Sequence, residues 1–272
     1  MNTNRKIIFF DIDGTILTSR PFSIPKSTVE ALKAARAEGH LLFINTGRTY
    51  AIIPSYIKEL EFDGYVCGCG SQIYMDGQLL HSSTIPNPLC RETIRKLEEC
   101  RLPAFYECSD RILYNGKSAK IPEPITRMMQ DKAICVEDLS LYNDEQLASF
   151  TFDKFLAIPE ETSDVKGFDT FANEYFNCFV HASEALEYTQ NAYSKATGIQ
   201  FLLDRLGLTL EDSYAIGDGT NDLPMLKYAG TSIAMGNADP AILPYCTYQT
   251  TDITDNGIYN ALKHFGLIHY EK

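Results

Sequence analysis

The chain reads as an α/β protein: a doubly wound parallel sheet with a second, α+β domain inserted into it. Three observations predict this. Toward both ends of the 272 residues, short apolar runs alternate with stretches of helical period, the pattern of parallel strands joined by crossover helices. The runs Ile7-Ile8-Phe9-Phe10 and Leu41-Leu42-Phe43-Ile44 are continuous, as strands buried on both faces must be. The middle of the chain drops the alternation and turns aromatic and strand-rich, which marks a separate packing unit.

In chain order, the first strand covers 6–10. "IPKSTVEALKAARAEG" reads as a helix that starts near Ser23 or Pro25, carries Val29, Leu32 and Ala35 or Arg36 as a stripe, and stops at Gly39. The second strand is 41–44. "YAIIPSYIKEL" has helical character broken at Pro54. "GYVCGCGSQIYMDGQLLHS" supplies a third strand and a hairpin that turns at Asp76-Gly77. "IPNP", at 85–88, reads as a linker into the inserted domain, and "LEYTQNAY", at 186–193, as the linker out. The expected division is therefore a core of 1–84 plus 186–272 and an insertion of 85–185, with "PAFYECSDRILYN" and "ASFTFDKFLAIPE" as strand-bearing pieces of the insertion. Past it, "SKATGIQFLLDRLG" is a helix with Ile199, Leu202, Leu203 and Leu206 on one face. "YAIGDG" is a strand ending in an acid, "DLPMLKYAG" a short helix, "TSIAMG" a strand and "NGIYNALKHFG" the closing helix.

Composition bounds the function. A net charge of −12 disfavours nucleic acid and anionic lipid as partners, so an anionic substrate would need positive charge supplied locally. No apolar run approaches the ~18 residues of a membrane span, and the N-terminal run is too short for a signal-peptide core. The expectation is a cytoplasmic protein with no obligate protein partner. The eight cysteines have no CxxC spacing, Cys67 and Cys69 being the nearest pair, and His40, His81, His181, His264 and His269 form no HxxxH pattern. That disfavours zinc and leaves the cysteines as reduced, buried thiols.

In an open parallel sheet, ligands bind beyond the carboxyl ends of the strands. Asp11 and Asp13 follow the first strand, Thr46-Gly47-Arg48 the second, and Gly217–Asp222, "GDGTND", the strand after residue 213. Convergence of the three would place Asp11, Asp13, Asp218 and Asp222 together, a charge that calls for a cation, and oxygen-only donors favour Mg²⁺. Taken singly, each piece has a plainer reading: a strand-end turn, a helix start, a solvated lysine or arginine. A calcium loop opening at Asp11 fails, because its sixth and twelfth places hold Ile16 and Phe22 rather than Gly and Glu. The metal site of a DxD glycosyltransferase accounts for Asp11 and Asp13 but predicts neither Thr46-Gly47-Arg48 nor GDGTND.

As a set, DIDGT, Thr46-Gly47, Lys195 and GDGTND resemble the four motifs of the haloacid dehalogenase superfamily. The spacing, the insertion, "SIAMGNADPAI" and "DITDNGIYNAL" resemble its Cof-type branch, subfamily IIB. The resemblance is detailed over 5–84 and 190–272. It implies a Rossmann-like catalytic core, an inserted cap that sets substrate specificity, and a Mg²⁺-dependent phosphomonoesterase of small phosphate esters, sugar phosphates foremost. It also implies roles. Asp11 is the nucleophile and Asp13 the general acid and base. Asp11, Asp218 and the Asp13 carbonyl hold the metal. Thr46, Gly47, Lys195 and Asn221 bind phosphate, while Asp222 orients Lys195 or a metal-bound water and Arg48 is a further anion contact. Two alternatives share parts of this pattern: a hexose phosphomutase of the same superfamily, and a non-catalytic phosphometabolite-binding regulator, which should have lost Asp11 or Asp13. Cys69-Gly70-Ser71 departs from the branch, which usually has Asn-Gly-Ala there.

Overall fold

A computed structural model describes residues 5–19, 21–115, 126, 134–180 and 184–269; His181 lies outside them. The chain divides into two compact units, Met1–Gly47 with Tyr56–Leu80 and Ser194–Lys272, and Arg48–Ser55 with His81–Tyr193.

The first unit is built on eight strands: β1 (Ile7–Phe10), β2 (Leu41–Asn45), β3 (Gly64–Cys67), β4 (Gln72–Met75), β5 (Gln78–Ser82), β12 (Ser213–Gly217), β13 (Thr231–Ala234) and β14 (Tyr248–Gln249). Their order is β14-β13-β12-β1-β2-β3-β4-β5. From β14 to β3 every pairing is parallel, and β4 turns antiparallel on β3. The β4–β5 hairpin turns at Asp76-Gly77, both at positive φ (51° and 73°), as a primed two-residue turn requires. β1 is the switch point: its neighbours are β2 on one side and β12, some 170 residues later, on the other. All four of its residues are buried. Ile7 and Phe9 pack with Ile199, Leu202 and Leu203 of the helix Lys195–Leu206, while Ile8 and Phe10 point to the opposite face. That is why the strand reads as an unbroken apolar run.

The first helix spans Lys26–Ala37 and buries Thr28, Ala31, Leu32 and Ala35. The buried stripe is thus rotated from the expected one: Leu32 and Ala35 are shared, but Ala31 replaces Val29. "YAIIPSYIKEL" forms only a 3₁₀ turn, Tyr50–Ile52, and one helical turn, Ser55–Lys58, because Pro54 leaves room for nothing longer.

The second unit carries a six-stranded sheet of β6 (Ala104–Glu107), β7 (Arg111–Tyr114), β8 (Cys135–Asp138), β9 (Lys154–Ala157), β10 (Phe176–Val180) and β11 (Leu186–Gln190), in the order β10-β11-β9-β6-β7-β8. It is antiparallel except for β7–β8. Tyr106, Phe155 and Tyr188 on one face pack with Leu97, Phe168 and Ala172 from the helices Asn87–Glu99 and Val165–Ala172.

Three expected boundaries need correction. "LEYTQNAY" is not a linker: Leu186–Gln190 is an interior strand paired on both sides. Its alternation Leu186-Glu187-Tyr188-Thr189 places polar residues on a buried face, which hides the strand from a hydropathy reading. "IPNP" is not a linker either; Ile85 is buried and bridges to Phe152, and Asn87 opens a helix. Arg48–Ser55 groups with the second unit, where Ile52 packs with Phe105 and Ile112.

Candidate active site

The sheet register carries the acids to one edge. Phe10 lies level with Ile44 of β2 and Ile216 of β12, and the Asp11 N–H donates to the Ile216 carbonyl at 3.0 Å. Asp11 is therefore level with Asn45 and Gly217, and Thr46 and Asp218 stand one residue farther along on either side. Asp11 is 4% exposed and Thr46 1%, whereas Asp13 is exposed.

Lys195 reaches this edge from the first turn of its helix. Ser194 caps that helix: its Oγ accepts from the Thr197 N–H at 3.3 Å, and Thr197 Oγ1 accepts from the Ser194 N–H at 3.0 Å, a reciprocal capping box. Asn45 Nδ2 donates to the Lys195 carbonyl at 2.9 Å, tying the lysine's backbone to the end of β2. The lysine side chain is fully buried, with Nζ 2.6 Å from Asp11 Oδ1 and 2.5 Å from Asp222 Oδ1. Asp222 uses its other oxygen to accept from the Asp218 and Gly219 N–H groups at 2.9 and 3.0 Å. One carboxylate thus fixes both the ammonium and the loop that carries Asp218.

Asp218 is placed from the other side by Thr15, whose Oγ1 donates to its Oδ1 at 3.4 Å. Gly14, with φ +86°, lies so near that a Cβ there would fall 2.1 Å from Asp218 Oδ2. The glycine of DIDGT is thus required by both its backbone and its neighbour. Asn237 braces the same loop: its Nδ2 donates to the Gly14 carbonyl at 2.8 Å and its Oδ1 accepts from the Ile253 N–H at 3.0 Å.

Carboxylate oxygens of Asp11, Asp218 and Asp222 lie within 4.8 Å of one another. Three carboxylates face one ammonium, an excess of two negative charges. Burial pushes the Asp11 carboxyl up to about 7 despite the pull of Lys195. Burial, with the charges of Asp11 and Asp222 added, pushes Asp218 up to about 8. Burial alone would lower Lys195, but Asp11 and Asp222 outweigh it and hold the ammonium above the ordinary lysine range. Such a group of desolvated oxygen donors with two charges in excess fits a hard divalent cation.

Of the other residues singled out from the sequence, Asn221 sits on the Gly217–Asp222 loop with its Oδ1 over Gly219, and makes no hydrogen bond to Lys195 among the described residues. Arg48 belongs to the second unit, where its Nη1 donates to the Ile52 carbonyl at 3.3 Å. Cys69-Gly70-Ser71 forms a tight turn against the site: the Cys69 N–H donates to the Thr46 carbonyl at 3.1 Å, with Cys69 at φ +54°. Gly70 there lies against the Ser194 carbonyl, 2.4 Å from where its Cβ would be. Thr15, Asn45 and Asn237 escaped the sequence reading. Thr15 closes DIDGT and Asn237 lies within SIAMGNADPAI, so the motifs contained both without giving either a task, and nothing local marked Asn45.

The haloacid dehalogenase-like hydrolase family model matches residues 8–262, and the chain belongs to that family. Relatives span its length. YkrA of Bacillus subtilis (strain 168) is 28% identical over 264 residues, 97% of this chain and 98% of that protein. Pyridoxal phosphate phosphatase YbhA of Escherichia coli (strain K12) is 25% identical over 93% of this chain and 96% of its own. A solved sugar phosphatase of haloacid dehalogenase subclass IIB superposes with a TM-score of 0.80 at 27% identity, over 97% of this chain and all of that one. The chain is accordingly a haloacid dehalogenase-type phosphatase acting on phosphorylated substrates, of the Cof-like, subclass IIB kind. Among the described residues no helix is long and apolar enough to cross a membrane.

Proposed function

We propose that the chain is a Mg²⁺-dependent phosphomonoesterase of small phosphorylated metabolites, sugar phosphates foremost, which carries the phosphoryl group transiently on Asp11. The observation that carries this is the Asp11 carboxylate itself: buried at the sheet's switch point, held by Lys195 and set beside Asp218. An oxygen in that position can attack phosphorus in line. Asp13, exposed two residues on, gives a proton to the departing alcohol and then takes one from the water that releases phosphate. The Thr46 hydroxyl, the Gly47 N–H and the Lys195 ammonium grip the other phosphoryl oxygens, with Asn221 in support and Asp222 holding Lys195 in place. Asp11, Asp218 and the Asp13 carbonyl would hold the Mg²⁺, which when bound removes the repulsion between a carboxylate and a phosphate dianion. Every described group in this scheme belongs to the first unit, so selection among alcohols falls to the second. Pyridoxal phosphate and sugar phosphates, named for two relatives, both have compact leaving groups.

A phosphate-release screen over sugar phosphates, pyridoxal phosphate, flavin mononucleotide and nucleotides, with and without chelator, tests the proposal. Metal-dependent release from at least one small ester is the expected result. Full turnover in excess chelator, or phosphate transfer between sugar positions with no release, contradicts it.

A further inference from the structure

In the first unit, the loops that follow β1 and β12 carry the acids, and the segment that follows β13, residues 235–239, is bonded to both of them. The Met235 N–H donates to the Gly217 carbonyl at 3.0 Å and the Asp239 N–H to the Asp218 carbonyl at 2.8 Å. Between them, Asn237 donates through Nδ2 to the Gly14 carbonyl at 2.8 Å and accepts at Oδ1 from the Ile253 N–H at 3.0 Å. Gly236 lies tight against the turn beyond β14: its N–H donates to the Thr251 carbonyl at 2.9 Å, and a Cβ on it would fall 2.3 Å from the Asp252 nitrogen. One short segment thus ties the Gly14 loop and the Asp218 loop to the same frame.

Gly14 is where such a tie is needed. At φ +86° it sits in backbone space that other residues avoid, and a glycine leaves that space as easily as it enters it. Two bonds fix it: its N–H donates to the Leu17 carbonyl at 2.8 Å, and its carbonyl accepts from Asn237. The Gly14 N–H and the Asp13 carbonyl belong to one trans peptide and point in opposite directions, so fixing Gly14 fixes the direction of the Asp13 carbonyl. Asn237 itself is exposed. Water can replace an exposed amide at the Gly14 carbonyl at little cost to folding. Water cannot hold the Asp13 carbonyl at a set spacing from Asp218, because it is not joined to the segment that grips Asp218.

We propose that Asn237 is a positioning residue for the divalent cation: it holds the Asp13 carbonyl at the spacing from the Asp218 carboxylate that the cation requires, and touches neither cation nor substrate. This rests on the Mg²⁺-dependent reading and deepens it with a residue outside DIDGT, Thr46-Gly47, Lys195 and GDGTND.

The test is calorimetric titration of Mg²⁺ into the substrate-free protein, with Mn²⁺ followed by electron paramagnetic resonance as a second probe, for wild type, Asn237→Ala, Thr250→Val and Asp218→Asn. Thr250→Val is the structural control: Thr250 Oγ1 donates to the Gly257 carbonyl at 2.7 Å in a buried bond that involves neither Gly14 nor Asp218. In Asn237→Ala the Kd for both cations rises by about tenfold or more, the scale for losing a group that orients a metal ligand. Its Tm in chelator falls no further than that of Thr250→Val, whose Kd stays within about twofold of wild type. Turnover by Asn237→Ala recovers toward wild type as Mg²⁺ is raised, since the cation's carbonyl ligand is loosened rather than removed. A Kd within about twofold of wild type in Asn237→Ala, or an equal rise in Thr250→Val, overturns the proposal and leaves the Mg²⁺ reading intact if Asp218→Asn abolishes binding. Cation binding absent from wild type, or undiminished in Asp218→Asn, overturns the Mg²⁺ reading and the proposal with it.

Discussion

Lys195 is the residue on which the catalytic edge turns. It is sealed from solvent between Asp11 and Asp222, so its charge is both fixed and undiluted by water. Lys195→Met keeps the stem and removes the charge. It should raise the barrier by about 2.7–4 kcal/mol, the scale for losing one preorganised donor to developing charge. The loss should appear in kcat as well as KM. Steady-state kinetics on an aryl phosphate check this, and unchanged kinetics would return Lys195 to a purely structural role. The acids at strand ends were legible in the sequence because a carboxylate that closes an apolar run has no packing reason to be there. Asp222's double task was not legible. Its grip on the Asp218 and Gly219 N–H groups exists only once the loop has folded. Asn45 and Asn237 hold backbone carbonyls from 150 and 223 residues away, so no local pattern could announce those partners, even though Asn237 lies within SIAMGNADPAI.

Among the elements, the helix Lys195–Leu206 matters most, because its first residue is the lysine. Ser194 fixes where that helix begins. Ser194→Ala should cost about 1 kcal/mol of stability and should also lower kcat, since fraying the first turn loosens Lys195. Denaturant unfolding and kinetics read the two effects separately; a stability loss with kcat intact would show that Asn45 alone anchors the lysine. The apolar stripe and the glycine stop of this helix were readable from the sequence, and Gly207 does close it in the left-handed conformation, at φ +66°. β11 was not readable, because Glu187 and Thr189 are polar residues buried on an inward face. Strand prediction from hydropathy fails where polar residues are buried on an inward face.

For the whole molecule, the doubly wound core and the presence of an insertion followed from the change of pattern along the chain. The limits of the insertion did not, because Arg48–Ser55 joins the second unit through tertiary packing of Ile52 rather than through any change in composition. The excess of carboxylates also has a global consequence. With Asp11 raised to about 7 and Asp218 to about 8, the folded, metal-free chain holds more protons than the unfolded chain between the ordinary carboxylate value and those two. Stability should therefore fall as pH rises through roughly 4 to 8 in chelator. On the proposed reading Mg²⁺ would bind the ionised carboxylates, so its stabilisation should be larger at pH 8 than at pH 5. Thermal unfolding at both pH values, with chelator and with millimolar Mg²⁺, checks the sign; an equal Mg²⁺ increment at both would contradict it. The most direct test of the central claim is a rapid acid quench of the turning-over enzyme with a phosphate ester labelled on phosphorus, followed by peptide mapping. The expected result is Mg²⁺-dependent label on the peptide that contains Asp11, and neither label nor turnover in Asp11→Asn. Undiminished turnover in Asp11→Asn, or label on a different residue, would contradict it.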